Sequence, residues 1–273
     1  MTGVAVLESL DSILRAADDP AKRSREVPVE RIDFSKAFVP EENTQLFHTP
    51  VYETLDRAQR LRYNQLSGVR VNEFIMTLER DVLERVLIPL RRHRSVAGNP
   101  ELLRGLESII EDERLHYAGF ARLNRMCLPD VFVGDRERYF TEPTRPQRLQ
   151  FELFGLVARR LSFPLYSLIA MEESSMTMAR RMVHLPANHR LGPLEPSFVA
   201  VHQEHMKDEA RHVQIQTHLI DACLTSAGRL SRWSNSRLFK STLRGLTTVG
   251  PSGSGAKVIR HFVGEFPELR PRT

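Results

Sequence analysis

Two stretches of the chain repeat one pattern of acid, acid, any, any, imidazole: Asp112-Glu113-Arg114-Leu115-His116 and Asp208-Glu209-Ala210-Arg211-His212. At average residue frequencies near ~5%, one Asp-Glu-x-x-His match is expected by chance in roughly 3 of 100 chains of this size, and a second is rarer again. On a helix, a Glu and a His three residues later lie on one face about 60° apart, so both reach one metal ion. Glu113 falls on the stripe of Leu106, Ile110, Tyr117 and Phe120, and Glu209 falls among Met206, Val213 and Gln216. Burying such groups without a counter-charge is expensive, and a metal removes the difficulty.

Proteins that hold two carboxylate-bridged iron or manganese ions place Glu-x-x-His on two helices of a four-helix bundle and one inward Glu on each of the other two. The chain offers Glu172 or Glu173 on one further helix and Glu73 or Glu79 on another. Glu172 lies at the centre of the stripe of Leu165, Leu168, Met176 and Ala179, whereas Glu173 points to the polar flank, so periodicity favours Glu172. Glu73 and Glu79 flank Met76 symmetrically, so periodicity does not choose between them. The shorter hairpin through Gly98-Asn99-Pro100 favours Glu79, which leaves Glu73 as a neighbour of the site.

Ligating histidines usually donate their second ring N–H to a carboxylate, which fixes the tautomer. Asp112 and Asp208 are the natural partners, each for the His of the opposite motif. His205 stands four residues before Glu209 on the same face, a position that suits a third imidazole ligand or a pocket acid/base. His202, one turn further away, reads as a pocket or structural residue, and His184, His189 and His218 have no such support.

The elements that must position these residues are helical, since strand signals are sparse and apolar residues recur at three and four. Helices are expected over Val4–Ala17, Val51–Arg62, Tyr63–Arg92, Pro100–Met126, Pro146–His184 and Pro196–Ser226, with Pro89 expected to kink or end its helix and a bend expected at Pro164. The expected fold is all-α, a four-helix bundle with additional helices. Residues 1–50 read as an N-terminal helix and connecting arm with no assigned function, 51–226 as the metal-binding bundle, and 227–273 as a basic tail. Trp233 and Phe239 are expected to pack that tail onto the bundle, after which Gly250 to Gly255 reads as a flexible joint.

The 273 residues are 41% hydrophobic with a net charge of +5, a composition that excludes a mainly disordered chain. Residues 226–273 carry +7, leaving −2 for the rest. No aromatic-interleaved basic platform accompanies the tail, so nucleic-acid binding is not expected. No apolar run approaches the roughly 18 to 20 residues of a spanning helix, so no membrane partner is expected either. Two cysteines in no metal-binding or disulfide spacing point to a reducing, cytoplasmic setting. A homodimer is the ordinary expectation for the assembly.

The paired motifs, and above all His205-x-x-x-Glu209-x-x-His212, resemble the dinuclear iron N-oxygenase family typified by p-aminobenzoate N-oxygenase. In that family the second helical motif carries an added histidine ahead of the Glu. Ferritins, acyl carrier protein desaturases and the ribonucleotide reductase small subunit share the two motifs without it. The resemblance spans about Tyr63 to Ile220 and implies a ferritin-like bundle. It also implies two iron ions held by Glu79, Glu113, His116, Glu172, His205, Glu209 and His212, with an iron-manganese pair as a variant. The implied activity is oxidation of a small-molecule amine by O₂, with His205 and Glu209 closest to the chemistry and a reductase as electron donor. The competing readings are another di-iron hydroxylase or desaturase, a ferritin-like iron-storage protein, and a single zinc held by His205, Glu209 and His212. The zinc reading leaves the first motif without a role.

Overall fold

Asp56 opens the first long helix with a capping box, its carboxylate accepting from Gln59 N while the Gln59 side chain accepts from Asp56 N. The computed structural model describes residues 8–19, 21–158, 162–184, 187–188, 190–225, 228–247 and 253–269. In chain order the helices are α1 (Leu10–Asp18), α2 (Pro50–Thr54), α3 (Arg57–Thr77), α4 (Glu84–Leu90), α5 (Arg94–Ala97), α6 (Pro100–Cys127), α7 (Arg145–Ala158), α8 (Phe163–His184), α9 (Pro196–Thr225), α10 (Arg229–Thr247) and α11 (Ser254–Glu265). A π-helical turn, Leu78–Leu83, joins α3 to α4 without a break. Two short antiparallel strands, Ala187–Asn188 and Gly192–Pro193, form a hairpin before α9.

The core is the bundle of α3 with its π-turn and α4, α6, α8 and α9: α3 packs on α6, α6 on α9, and α8 on both α9 and the π-turn. The apolar stripes supply it, with Leu66, Val69, Met76, Leu83, Leu87, Leu106, Ile109, Ile110, Leu165 and Leu168 all buried. On α9 the buried line passes instead through Phe198, His202, His205, Asp208, Glu209, His212, Ile215 and Leu219, whereas Met206 and Val213 are half-exposed. α1 lies across α6 and α9 with Leu10, Ile13 and Leu14 buried, α7 covers α4 and α8, α10 lies on α8, and α11 lies on α3. The arm before α2 is part of the core: Ala37, Phe38 and Val39 are fully buried, and the amides of Phe38 and Val39 both donate to Asn64 Oδ1.

Several boundaries differ from the sequence reading. The expected helix from Pro146 to His184 is two helices, because Pro164 sits in the first turn of α8, where a missing N–H costs nothing and favours a new start over a bend. The expected break at residue 62 falls instead at Leu55-Asp56, where the cap forms. Trp233 does not pack the tail down: it is 58% exposed beneath the Arg237 guanidinium, while Phe239 meets Tyr166 as expected. Of the joint at Gly250 to Gly255, Gly250, Pro251 and Ser252 lie outside the described residues, as do Val4 to Leu7 of the first expected helix.

Candidate metal centre

The centre assembles at mid-height of the bundle. α6 presents Asp112, Glu113 and His116; α9 presents His205, Asp208, Glu209 and His212; α8 presents Glu172; and the π-turn presents Glu79. In a π-turn the helix is locally wider, and such turns concentrate at functional sites. The turn includes Glu79 and changes the α-helical register that made Glu73 and Glu79 equivalent in the sequence.

Seven buried side chains fall into two groups, Glu79, His116 and His205 in one and Glu113, Glu172, Glu209 and His212 in the other. Within each group the ligand atoms all lie within 4.8 Å of one another. The groups adjoin through Glu209 Oε1, which is 2.9 Å from His205 Nε2 and 3.7 Å from Nδ1 of both His116 and His212. His205 Nε2 is also 3.2 Å from Glu79 Oε1, and His212 Nδ1 is 3.0 Å from Glu113 Oε1.

Both oxygens of Glu79 and of Glu113, one oxygen each of Glu172 and Glu209, Nδ1 of His116 and His212, and both ring nitrogens of His205 are buried without a hydrogen-bond partner. Buried polar atoms are almost always paired, so this many orphans converging on one point are the mark of a cation site. Carboxylate and imidazole donors fit divalent iron or manganese.

Electrostatics agree with the geometry. Burial pushes the Glu79 carboxyl up to about 7 against the pull of His205, and burial beside the Glu209 carboxylate raises Glu172 well above its usual range. Burial opposes protonation of His116, but Asp208 and Glu113 outweigh it and raise that imidazole to about 10. The same contest beside Glu209 and Glu79 leaves His205 at about 9. Glu113, with burial opposed by His116 and His212, is held at about 2. A bound cation would take the place of the protons held by Glu79, Glu172, His116 and His205.

The two aspartates stand behind the imidazoles. His116 Nε2 is 3.0 Å from Asp208 Oδ2 and His212 Nε2 is 3.3 Å from Asp112 Oδ2, so each aspartate serves the opposite motif and both Nδ1 atoms face the cluster. Sequence reasoning missed what holds the aspartates. Arg211 Nη2 donates to Asp112 Oδ2 and to Asp208 Oδ1, 2.7 Å each, Arg23 Nη2 donates to Asp112 Oδ1 at 2.6 Å, and Ser24 N donates to Asp208 Oδ1 at 3.2 Å. The place of Arg211 three residues after Asp208 was a readable signal, whereas nothing local marks Arg23 or Ser24.

Glu73 is not part of this shell. Its carboxylate accepts from Tyr139 N and Thr141 N, 2.8 and 2.7 Å, and so ties α3 to the loop after α6. Glu173 is exposed. Gln216, which the sequence placed only as a neighbour on the stripe, donates to Glu172 Oε1. His202 pairs with Asn72 Oδ1 at 2.9 Å between the rings of Phe120 and Phe198, and burial lowers it to about 3. His184 is exposed, His218 bonds Glu8 O, and His189 lies outside the described residues.

Two cavities reach the cluster. One of about 260 Å³ is walled by Leu115, Gly119, Phe120 and Val201 and ends on His116 and His205. Another of about 170 Å³ ends on Glu79 and Glu113 and is bordered by Arg80 and Tyr117. Among the described residues, no helix is long and apolar enough to cross a membrane.

No curated protein matches the chain. The family model described as P-aminobenzoate N-oxygenase AurF matches residues 12–249, a span that takes in most of α1, all of α2 through α10 and every residue of the cluster. With its two carboxylate and histidine groups inside a ferritin-like helical bundle, the chain belongs to the p-aminobenzoate N-oxygenase family, a family of di-iron oxygenases.

Proposed function

We propose that the protein is an O₂-dependent di-iron monooxygenase that oxidises the nitrogen of a small-molecule amine. The observation that carries this reading is His205, which brings a second imidazole to the Glu79 and His116 group and a third to the centre as a whole, with neither nitrogen hydrogen-bonded. Glu79, His116 and His205 would hold one iron and Glu113, Glu172, Glu209 and His212 the other. Bound iron would activate dioxygen and pass on the electrons of an external reductase, which no side chain here can do.

The chain's own residues do the rest. Asp208 and Asp112 accept the Nε2–H of His116 and His212 and so hold both Nδ1 atoms toward the metals. A third neutral nitrogen donor raises electron density at the centre, which favours oxygen transfer to a nitrogen lone pair over attack on a strong C–H bond. Leu115, Phe120 and Val201 supply the apolar part of the cavity wall before His116 and His205, and Arg25, Glu26, Arg122 and Glu204 supply the polar part. In the first turnover one oxygen atom ends on nitrogen as a hydroxylamine and the other leaves as water, with two electrons from an external reductase and two protons from solvent. Further turnovers lead to nitroso or nitro products.

The test is metal content followed by product analysis. Protein produced with iron is expected to hold about two irons per chain. With reductant and O₂ it is expected to convert members of an amine panel, and no fatty-acyl substrate, to N-oxygenated products. One zinc per chain, or oxidation of the acyl panel alone, overturns the proposal.

A further inference from the structure

We propose that the N-terminal arm is a working part of the metal centre, with Arg23 as a positioning residue that holds His212 on its metal through Asp112. The inference rests on the di-iron reading above and adds a component that lies far away in sequence. The carboxylate of Asp112 is 2% exposed and that of Asp208 1%, so neither draws much on solvent for its charge. Two divalent ions offset Glu79, Glu113, Glu172 and Glu209, which leaves these two aspartates to be balanced by the protein. Arg211 touches both but brings a single charge. The second charge is Arg23, whose Nη2 is 2.6 Å from Asp112 Oδ1. An unbalanced buried carboxylate is costly, so the arm completes the neutral set.

The arm is also laid along the site rather than pinned at one point. After Arg23, the amide of Ser24 donates to Asp208 and the amide of Arg25 donates to Glu204 Oε2 at 3.0 Å. Arg122 then fixes the strand through Val27 O and Glu26. Ser24 to Val27 form one wall of the cavity that ends on His116 and His205. Every bonded partner of this segment stands on α6 or α9, the two helices that carry the Asp-Glu-x-x-His motifs. The Arg23 side chain is itself 34% exposed, so this segment, held between α1 and the buried Ala37 to Val39, is the part of the charge set nearest solvent. Thermodynamic reciprocity then requires metal binding to tighten arm docking by the factor that arm docking tightens metal binding.

The experiment compares the full chain without metal and loaded with Mn²⁺, an ion that does not react with O₂ here. It follows trypsin cleavage at Arg25–Glu26 relative to cleavage at the exposed Arg136. Mn²⁺ is expected to slow the first cut about tenfold more than the second, and Arg23→Ala is expected to abolish that difference and weaken Mn²⁺ binding about 10- to 100-fold. Arg23→Lys, which keeps the charge, recovers most of the affinity. Equal slowing of both cuts in the wild-type chain, or unchanged Mn²⁺ affinity in Arg23→Ala, overturns the role of the arm while leaving the metal centre in place. A wild-type chain that binds no Mn²⁺ or Fe²⁺ overturns the metal centre and the arm together.

Discussion

His205 sets this centre apart from a site with one Glu and one Glu-x-x-His per metal, because its Nε2 lies within 3.2 Å of both Glu79 and Glu209. Replacing it with Ala removes the ligand proposed for the Glu79 and His116 group. The expected outcome is loss of iron or of N-oxygenation with unchanged far-ultraviolet circular dichroism, and full iron content with full turnover would remove the residue from the mechanism. Asp208→Asn is subtler, since an amide can present its NH₂ to His116 Nε2 and favour the wrong tautomer. Metal affinity is expected to fall about 10- to 100-fold, measured by competition with a chelator, while the metal-free chain keeps its helicity. At this scale the sequence was highly legible: both motifs, both aspartates and His205 stand out by type and spacing. Arg23 was not, because its partner Asp112 is 89 residues away and no local pattern announces the pairing.

Among the elements, α6 and α9 must approach closely enough for their motifs to share metals, and Gly105 permits it. A Cβ at Gly105 would stand 2.8 Å from Ile215 Cγ2. Gly105→Val is therefore expected to destabilise the chain by about 1–3 kcal/mol through overpacking, read from urea unfolding. It is also expected to lower metal affinity, because separating the two helices separates Glu113 from His212. The π-turn is the element that sequence periodicity could not foresee. A 3.6-residue register assumes an unbroken α-helix, and under that assumption Glu73 and Glu79 are equivalent about Met76. With the turn in place, Glu79 joins the cluster and Glu73 meets the loop at Tyr139 and Thr141. The division between α7 and α8 was likewise visible only as a proline whose effect, bend or new start, depends on packing.

For the whole molecule the shared protons of the centre set a pH dependence. His116 at about 10 and His205 at about 9 stand above the ordinary value of 6.5, so the metal-free folded chain binds protons more tightly than the unfolded chain. Their contribution to stability is complete below about pH 6.5 and is lost as pH rises towards 10. Burial of Glu79, at about 7, acts in the same direction from about pH 4.5 upward. Metal binding displaces those protons and so tightens as pH rises. The melting temperature of the metal-free protein is expected to fall between pH 6.5 and 9 while the gap to the Mn²⁺-loaded protein widens. A gap that narrows with pH would mean that the imidazoles are not ligands. At a metal concentration 100 times the dissociation constant the stabilisation is about 2.7 kcal/mol for a single site, a shift that calorimetry resolves.

The sequence by itself determined the helical class, the apolar stripes and most of the ligand chemistry, because these depend on residue type and on spacing within one helix. It also determined the family resemblance, since both motifs and the extra histidine are local. The tertiary structure decided what depends on two segments meeting. It brings Glu79 into the cluster and Glu73 to the loop after α6, brings Gln216 to Glu172 and seats the arm on Asp112 and Asp208. Those outcomes follow from packing and charge balance between distant parts of the chain, which no periodicity within one element encodes.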